Sequence, residues 1–220
     1  MIHFHPDDNM LVEHASGSLS WAISIGISAH MQLCPTCRAR HDKLCMLGGA
    51  YLDDTSAEPV EDDAFSRLMQ RVQSPQPEPT RPKRSLSSKE MQVNELPRVI
   101  QKLVPDDLKW KKVTGALKTA RLVTGQEQYE VAFHKITKGG KVVEHDHKGL
   151  EVTVVLEGSF SDESGVYTRG DFIVREPGQV HRPTATSDQD CLCLSVCEAP
   201  VAVTGWMGKV INPFLSIHPA

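Results

Sequence analysis

Between Gly139 and His181 three histidines and a carboxylate stand at spacings that suit an extended backbone broken by tight turns. The stretch reads Gly139-Gly140-Lys141-Val142-Val143-Glu144-His145-Asp146-His147-Lys148-Gly149-Leu150-Glu151, then Val152 to Glu157 and Gly158. It resumes with Gly170-Asp171-Phe172-Ile173-Val174 and ends Pro177-Gly178-Gln179-Val180-His181. His145 and His147 are two residues apart, so on a strand both side chains point to one face. Glu151 keeps that parity and leaves room for a turn at Lys148-Gly149. Val152 to Leu156 is a β-rich run that Gly158 closes. His181 follows the turn at Pro177-Gly178. Three imidazoles and one carboxylate form an N,N,N,O donor set that suits a divalent transition metal. The competing reading places these histidines on the surface beside turns, with no ligand role.

The spacing of glycine, five residues, His-x-His, three residues, Glu, six residues and glycine resembles the cupin signature. The second half departs from it: Pro177 and Gly178 are adjacent, and Ala185 stands where many cupins carry asparagine. The resemblance implies an all-β cupin domain, a double-stranded β-helix or jelly roll, in which His145, His147, Glu151 and His181 bind zinc or another divalent transition metal.

Composition narrows the rest. The chain has 220 residues, enough for one large or two small domains, and its 40% hydrophobic and 24% charged residues are those of a globular protein. The net charge of −4 gives no reason to expect direct binding to nucleic acid or to an anionic membrane. No apolar run approaches the length of a membrane span. The Met1 to Asp8 stretch lacks the basic and apolar regions of a secretory signal. Six cysteines without such a signal suggest reduced thiols or metal ligands, and a cytoplasmic location is expected.

Residues 1–72 read as a small helical unit. Pro6-Asp7-Asp8-Asn9 has helix-start chemistry and Gly17 a stop. Ser18 or Ser20 caps a second helix whose apolar residues Leu19, Ala22, Ile23, Ile27 and Met31 recur at helical steps, although Ile23 to Ile27 also alternates like a strand. Pro35 opens a third helix with Cys34 as its cap, closing at Gly48-Gly49. Asp62 to Val72 is an amphipathic fourth helix, apolar at Phe65, Leu68, Met69 and Val72. Within this unit stands His30-x-x-x-Cys34-x-x-Cys37. One helical turn sets His30 over Cys34, and Cys-x-x-Cys is a common knuckle for zinc. The fourth ligand is open among His5 and His3, with His14, His41 and Cys45 behind them. A redox dithiol or a pair of core cysteines are the competing readings. A unit of this size buries little core, so a metal staple makes physical sense.

Residues 73–90 are rich in proline and then serine, and read as an extended spacer between independently folding units. Residues 91–220 read as the β domain. Ala116 to Val123 and Tyr129 to Ile136 flank a turn at Thr124-Gly125, and a short helix or edge segment precedes them between Glu95 and Pro105. Cys191-Leu-Cys193-Leu-Ser195-Val-Cys197 alternates strictly, which puts the three thiols on one strand face. They are either small core residues or a redox face at Cys191 and Cys193. A direct Cys191–Cys193 disulfide is awkward, since two residues along a strand span roughly 6.6 Å.

Taken together, a His-x3-Cys-x2-Cys helical unit followed by a cupin resembles the ChrR-type anti-sigma factors. The arm His5-Pro-Asp-Asp-Asn-Met-Leu, the turn Ala15-Ser-Gly17-Ser-Leu19 and the run His30-Met-Gln-Leu-Cys34-Pro-Thr-Cys37-Arg-Ala-Arg carry the likeness. The resemblance implies a non-enzymatic regulator. Zinc is expected on His5, His30, Cys34 and Cys37 and a second metal on the cupin ligands. The implied partner is an extracytoplasmic-function sigma factor, released when the cupin meets oxidants such as singlet oxygen or organic hydroperoxides. Two other functions compete. A cupin with three histidines and a glutamate can serve a metal-dependent, dioxygenase-like enzyme if a coordination position is free. A DNA-binding regulator would need a basic recognition helix, of which Arg38, Arg40 and Lys43 make only a weak one.

Overall fold

The computed structural model of the chain describes residues 1–74 and 91–204. Helix α1 (Asp8–Ser16) is capped by the Asp7 carboxylate, which accepts from the Met10 amide at 2.7 Å, and stops at Gly17 with φ +75°. A left-handed C-cap of this kind favours glycine. Ser20 caps α2 (Trp21–Leu33), so the alternating Ile23–Ile27 stretch is helical. Cys34 caps α3 (Pro35–Asp53), with Pro35 in the first turn as expected. The third helix does not close at Gly48-Gly49. It runs on to Asp53, because neither glycine turns to positive φ and Ala50, Tyr51 and Leu52 continue the helix. α4 (Ala64–Gln73) takes in Gln73, the first residue assigned to the spacer; the rest of the spacer, from residue 75, lies outside the described residues. A short α5 (Arg98–Leu103) follows. Among the described residues no helix is long and apolar enough to cross a membrane.

The β domain is built from β1 (Lys111–Lys112), β2 (Leu117–Leu122), β3 (Glu130–Ile136), β4 (His145–His147), β5 (Glu151–Glu157), β6 (Ser159–Asp162), β7 (Gly165–Thr168), β8 (Phe172–Arg175), β9 (Thr184–Ala185), β10 (Cys191–Cys197) and β11 (Val201–Val203). The hairpin read at Thr124-Gly125 is present, with Leu122 opposite Val131. A six-stranded sheet has the order β1-β2-β3-β10-β5-β8, and two small sheets, β7-β6-β9 and β11-β4, face it. This is the expected arrangement, a helical region followed by a cupin-like β domain. β10 lies at the centre, antiparallel to both β3 and β5. Its alternation separates two cores. Cys191 and Cys193 enter a core inside the β domain with Ile136, Val155, Phe160, Tyr167, Ile173 and Ala185. Leu192, Leu194 and Val196 face the other way, into a larger core shared with the helices.

That shared core corrects the expectation of two independently folding units. Ala22, Ile23, Ile25, Gly26, Ile27, Ala29 and His30 of α2 are all buried. Only a stripe of Trp21, Ser24, Ser28, Met31 and Gln32, with Leu33 at its end, stays half-buried or exposed, so most of the helix surface must be covered. α2 lies against β5, β8 and β10 on one side and α1, α3 and α5 on the others. The close approach depends on Gly26: a Cβ there would sit 3.3 Å from Val152 Cγ1 and 3.6 Å from Phe172 Cε2. The three isoleucines of α2 alone contribute roughly 5–9 kcal/mol of gross apolar burial, comparable to the net stability of a whole domain. A Gly26→Leu chain is expected to lose about 2 kcal/mol or more in a urea titration by overpacking this contact. Because α2 serves both sides, far-ultraviolet circular dichroism and the fluorescence of Trp110, stacked on Phe133, should shift to lower urea together.

Candidate metal centres

The structure brings His5, His30, Cys34 and Cys37 together, with all four ligand atoms within 4.8 Å of one another. His5 Nδ1 lies 3.5 Å from Cys34 Sγ and 3.4 Å from Cys37 Sγ. Zinc bonds of about 2.1 Å to nitrogen and 2.3 Å to sulfur put N and S about 3.6 Å apart at the tetrahedral angle and about 3.1 Å apart at a right angle. The observed spacing is nearer the tetrahedral one. His30 is fully buried, and its Nε2 has no hydrogen-bond partner although Nδ1 donates to the Gly170 carbonyl at 2.7 Å. An orphaned buried nitrogen beside two thiols and a second imidazole is what a removed metal leaves behind. Zinc therefore fits here. The other candidates lie elsewhere. His14 Nδ1 meets His41 Nε2 at 2.9 Å, Cys45 sits beside His41, and His3 contributes its backbone amide to Asp171.

The second cluster is at the mouth of the β domain. β4 presents His145 and His147, β5 begins with Glu151, and His181 is held opposite His145 by an isolated bridge in which each amide donates to the other's carbonyl. His181 Nε2 lies 3.0 Å from His147 Nε2 and 3.1 Å from His145 Nε2, and His147 Nε2 lies 3.0 Å from Glu151 Oε2. Bonds of about 2.1 Å at right angles give about 3.0 Å between neighbouring nitrogens, against about 3.4 Å for a tetrahedron. The three nitrogens are thus spaced like neighbours on an octahedral ion, a geometry with room for further ligands, while Glu151 groups with His147 and Cys197 and not with all three histidines. Outer partners orient two of the three rings: His145 Nδ1 donates to the Val143 carbonyl at 2.8 Å and His181 Nδ1 to Asp162 Oδ2 at 3.3 Å, whereas the buried Nδ1 of His147 has no partner among the described residues. Glu151 Oε1 accepts from the Ser195 hydroxyl at 2.7 Å. Burial raises the Glu151 pKa, but His147 and the Ser195 hydroxyl together with the other imidazoles pull it down to about 2. It is an anion ready to ligate. The Asp162 side chain has no exposure and Arg175 pairs with it at 2.7 Å.

Comparison with known proteins completes the picture. Residues 101–202 match the ChrR cupin-like domain family. Over 98% of this chain and 99% of the relative, it is 30% identical to the anti-sigma-E factor ChrR of Cereibacter sphaeroides. The chain belongs to the ChrR family of anti-sigma factors. A crystal structure of Rhodobacter sphaeroides SigE in complex with the anti-sigma ChrR matches it with a TM-score of 0.72 and 29% identity, covering 90% of this chain and 99% of the other. Membership of this family makes the chain a regulator and not an enzyme.

Sequence reasoning missed Asp162, Gly170, Asp171 and Ser195, the outer partners of the ligands. Each lies in a turn or a β run where nothing in its spacing marks it. In this ChrR-family chain the Cys191 and Cys193 sulfurs lie 3.6 Å apart, both buried and both free. The neighbouring Cys191 sulfur, followed by burial, pushes the Cys193 thiol well above its usual range. Burial and then Glu151 do the same to Cys197. His134, a further strand histidine, is paired across from Cys193 and does not join the ligand cluster.

Two outcomes are expected. Iodoacetamide should label the exposed Cys45 at least 100-fold faster than Cys191 or Cys193, as read by mass spectrometry of the folded chain, because thiolates react and buried thiols do not form them. Burial above all pulls His30 and His145 from 6.5 to about 4. The unfolded chain takes up these protons near pH 6.5 and the folded one only near pH 4. Metal-free protein should therefore lose stability as pH falls through that window, with a falling urea midpoint, and His145→Gln should flatten the slope.

Proposed function

We propose that this anti-sigma factor sequesters an extracytoplasmic-function sigma factor in the cytoplasm through its helical unit, and that the cupin metal centre governs release under oxidative stress. The observation that carries the reading is an unpartnered apolar surface. On α4, Phe65, Leu68, Met69 and Val72 are 72, 54, 37 and 68% exposed, and none of the helix's residues is buried. The end of α3 exposes Met46, Leu47, Tyr51 and Leu52 as well. Helices that leave such side chains in water are built to lay them in a partner's groove. Zinc on His5, His30, Cys34 and Cys37 would hold α2, α3 and the N-terminal arm in the shape that presents this surface.

The cupin centre supports the sensing half. Its donor spacing leaves room at the ion for a small molecule, and His145 is the least buried of its four residues. Zinc or another divalent transition metal would there act as a Lewis acid toward an incoming oxidant. Singlet oxygen and organic hydroperoxides are the oxidants that the family resemblance implies. Cys191 and Cys193 are a second oxidation site that such species would reach only through local opening.

Phe65→Asp together with Leu68→Asp is expected to weaken binding to the cognate sigma factor at least tenfold in a titration followed by anisotropy, with metal content unchanged. Unchanged affinity would exclude α4 as the clamp.

A further inference from the structure

The zinc cluster of the helical unit is not built by that unit alone. His5, its one exposed member, sits on an N-terminal arm laid across the β domain. Asp171, fully buried, accepts with Oδ1 from the amides of His3 at 2.7 Å and Phe4 at 3.1 Å. Its Oδ2 accepts from the Thr168 amide at 2.7 Å. The Phe172 amide donates to the Phe4 carbonyl at 3.0 Å. Gly170 takes φ +97°, and a Cβ there would fall 2.5 Å from Ile2 Cδ1, so only glycine lets the arm lie over this turn. The same Gly170 offers its carbonyl to His30 Nδ1. Thus two of the four ligands are oriented by residues 170–172.

From this turn a line of close contacts reaches the other metal centre. The Phe4 ring packs on Tyr167 with centroids 4.7 Å apart. The Tyr167 hydroxyl donates to Asp162 Oδ1 at 3.0 Å, and Arg175 Nη2 donates to both, at 2.6 Å to the hydroxyl and 2.7 Å to Asp162 Oδ2. Asp162 Oδ2 receives the His181 Nδ1 proton. His181 Nε2 faces His145 and His147 among the cupin ligands. Tyr167 is 1% exposed and the Asp162 side chain not at all, so water does not screen the line.

We propose that Gly170 and Asp171 are positioning residues for the zinc centre of the anti-sigma helices, and that Phe4, Tyr167 and Asp162 couple that centre to the cupin metal. The inference rests on the metal assignments above and deepens them by naming what joins the two sites. Metal on the cupin ligands fixes the His181 ring and, through it, the carboxylate of Asp162. When that metal is lost, Asp162 is left to Arg175 and Tyr167, the Tyr167–Phe4 packing loosens, and the arm holding His5 is freed. Zinc then leaves the helical site faster and the clamp loses its staple. Coupling between binding free energies is reciprocal, so loss of zinc must lower the cupin site's metal affinity by the factor by which loss of the cupin metal lowers the zinc affinity.

The test uses the full chain loaded with zinc and mixed with a chromophoric chelator. Cys34→Ser and His147→Ala each remove one phase of release and so assign the phases. The rate of the helical-site phase is then compared between chains. His147→Ala is expected to speed it about tenfold, a usual size for an outer-shell loss. Tyr167→Phe, which keeps the ring on Phe4, should speed it too, and His147→Ala should add little in that background. Phe4→Ala, changed in the arm at a half-buried residue that only borders the β core, repeats the cycle in case Tyr167→Phe perturbs folding. Two bound metals with a helical phase indifferent to the cupin site, or strictly additive effects, would overturn the coupling alone. Fewer than two metals per chain would overturn the metal assignments and the coupling together.

Discussion

Helix α2 gives only a narrow stripe, from Trp21 through Ser24 and Ser28 to Gln32, to water. Its small residues Ala22, Gly26 and Ala29 lie among isoleucines, and every one of them is buried. Such a helix is unstable on its own and needs cover over most of its surface. The six-stranded sheet covers one side and α1, α3 and α5 the rest. The two parts of the chain are therefore bound by a common apolar core before any polar contact is counted. His30, at the end of this helix, inherits its burial, and from that burial come both its neutral imidazole and its need for a ligand at Nε2.

The two ligand clusters differ in a way that follows from their scaffolds. The helical one mixes sulfur and nitrogen, closes around four donors and has one exposed member, which suits a structural staple. The cupin cluster draws on two strands and an isolated bridge, and its nitrogens are crowded to 3.0–3.1 Å. Crowding of that kind keeps the protein's ligands to one side of an ion and leaves the other side to exchange. One chain thus pairs a donor set suited to a closed site with one suited to an open site.

Much of this was legible in the residues. The helix caps at Asp7, Ser20 and Cys34, the hairpin at Thr124-Gly125 and the alternation of β10 all follow from local rules and are found as read. Seven of the eight candidate ligands stand out because metal-binding side chains are rare at such spacings, and the eighth, His5, follows from the family resemblance. What could not be read was long-range. Asp171 and Gly170 serve ligands more than 100 residues away, and a glycine-aspartate pair before a strand looks like any other turn. The independence of the two units was misjudged because a proline-rich spacer speaks for flexibility along the chain, while α2 docks across it. The length of α3 was misjudged because paired glycines end a helix only when one turns to positive φ.

The placing of the arm also has a meaning for synthesis. His3 and Phe4 leave the ribosome first, but the carboxylate that receives their amides follows 168 and 167 residues later. Through most of translation the arm has nowhere to settle, and His5 is not held against the two thiols. The arm, and His5 with it, can therefore take its observed place only after Gly170 and Asp171 have been made.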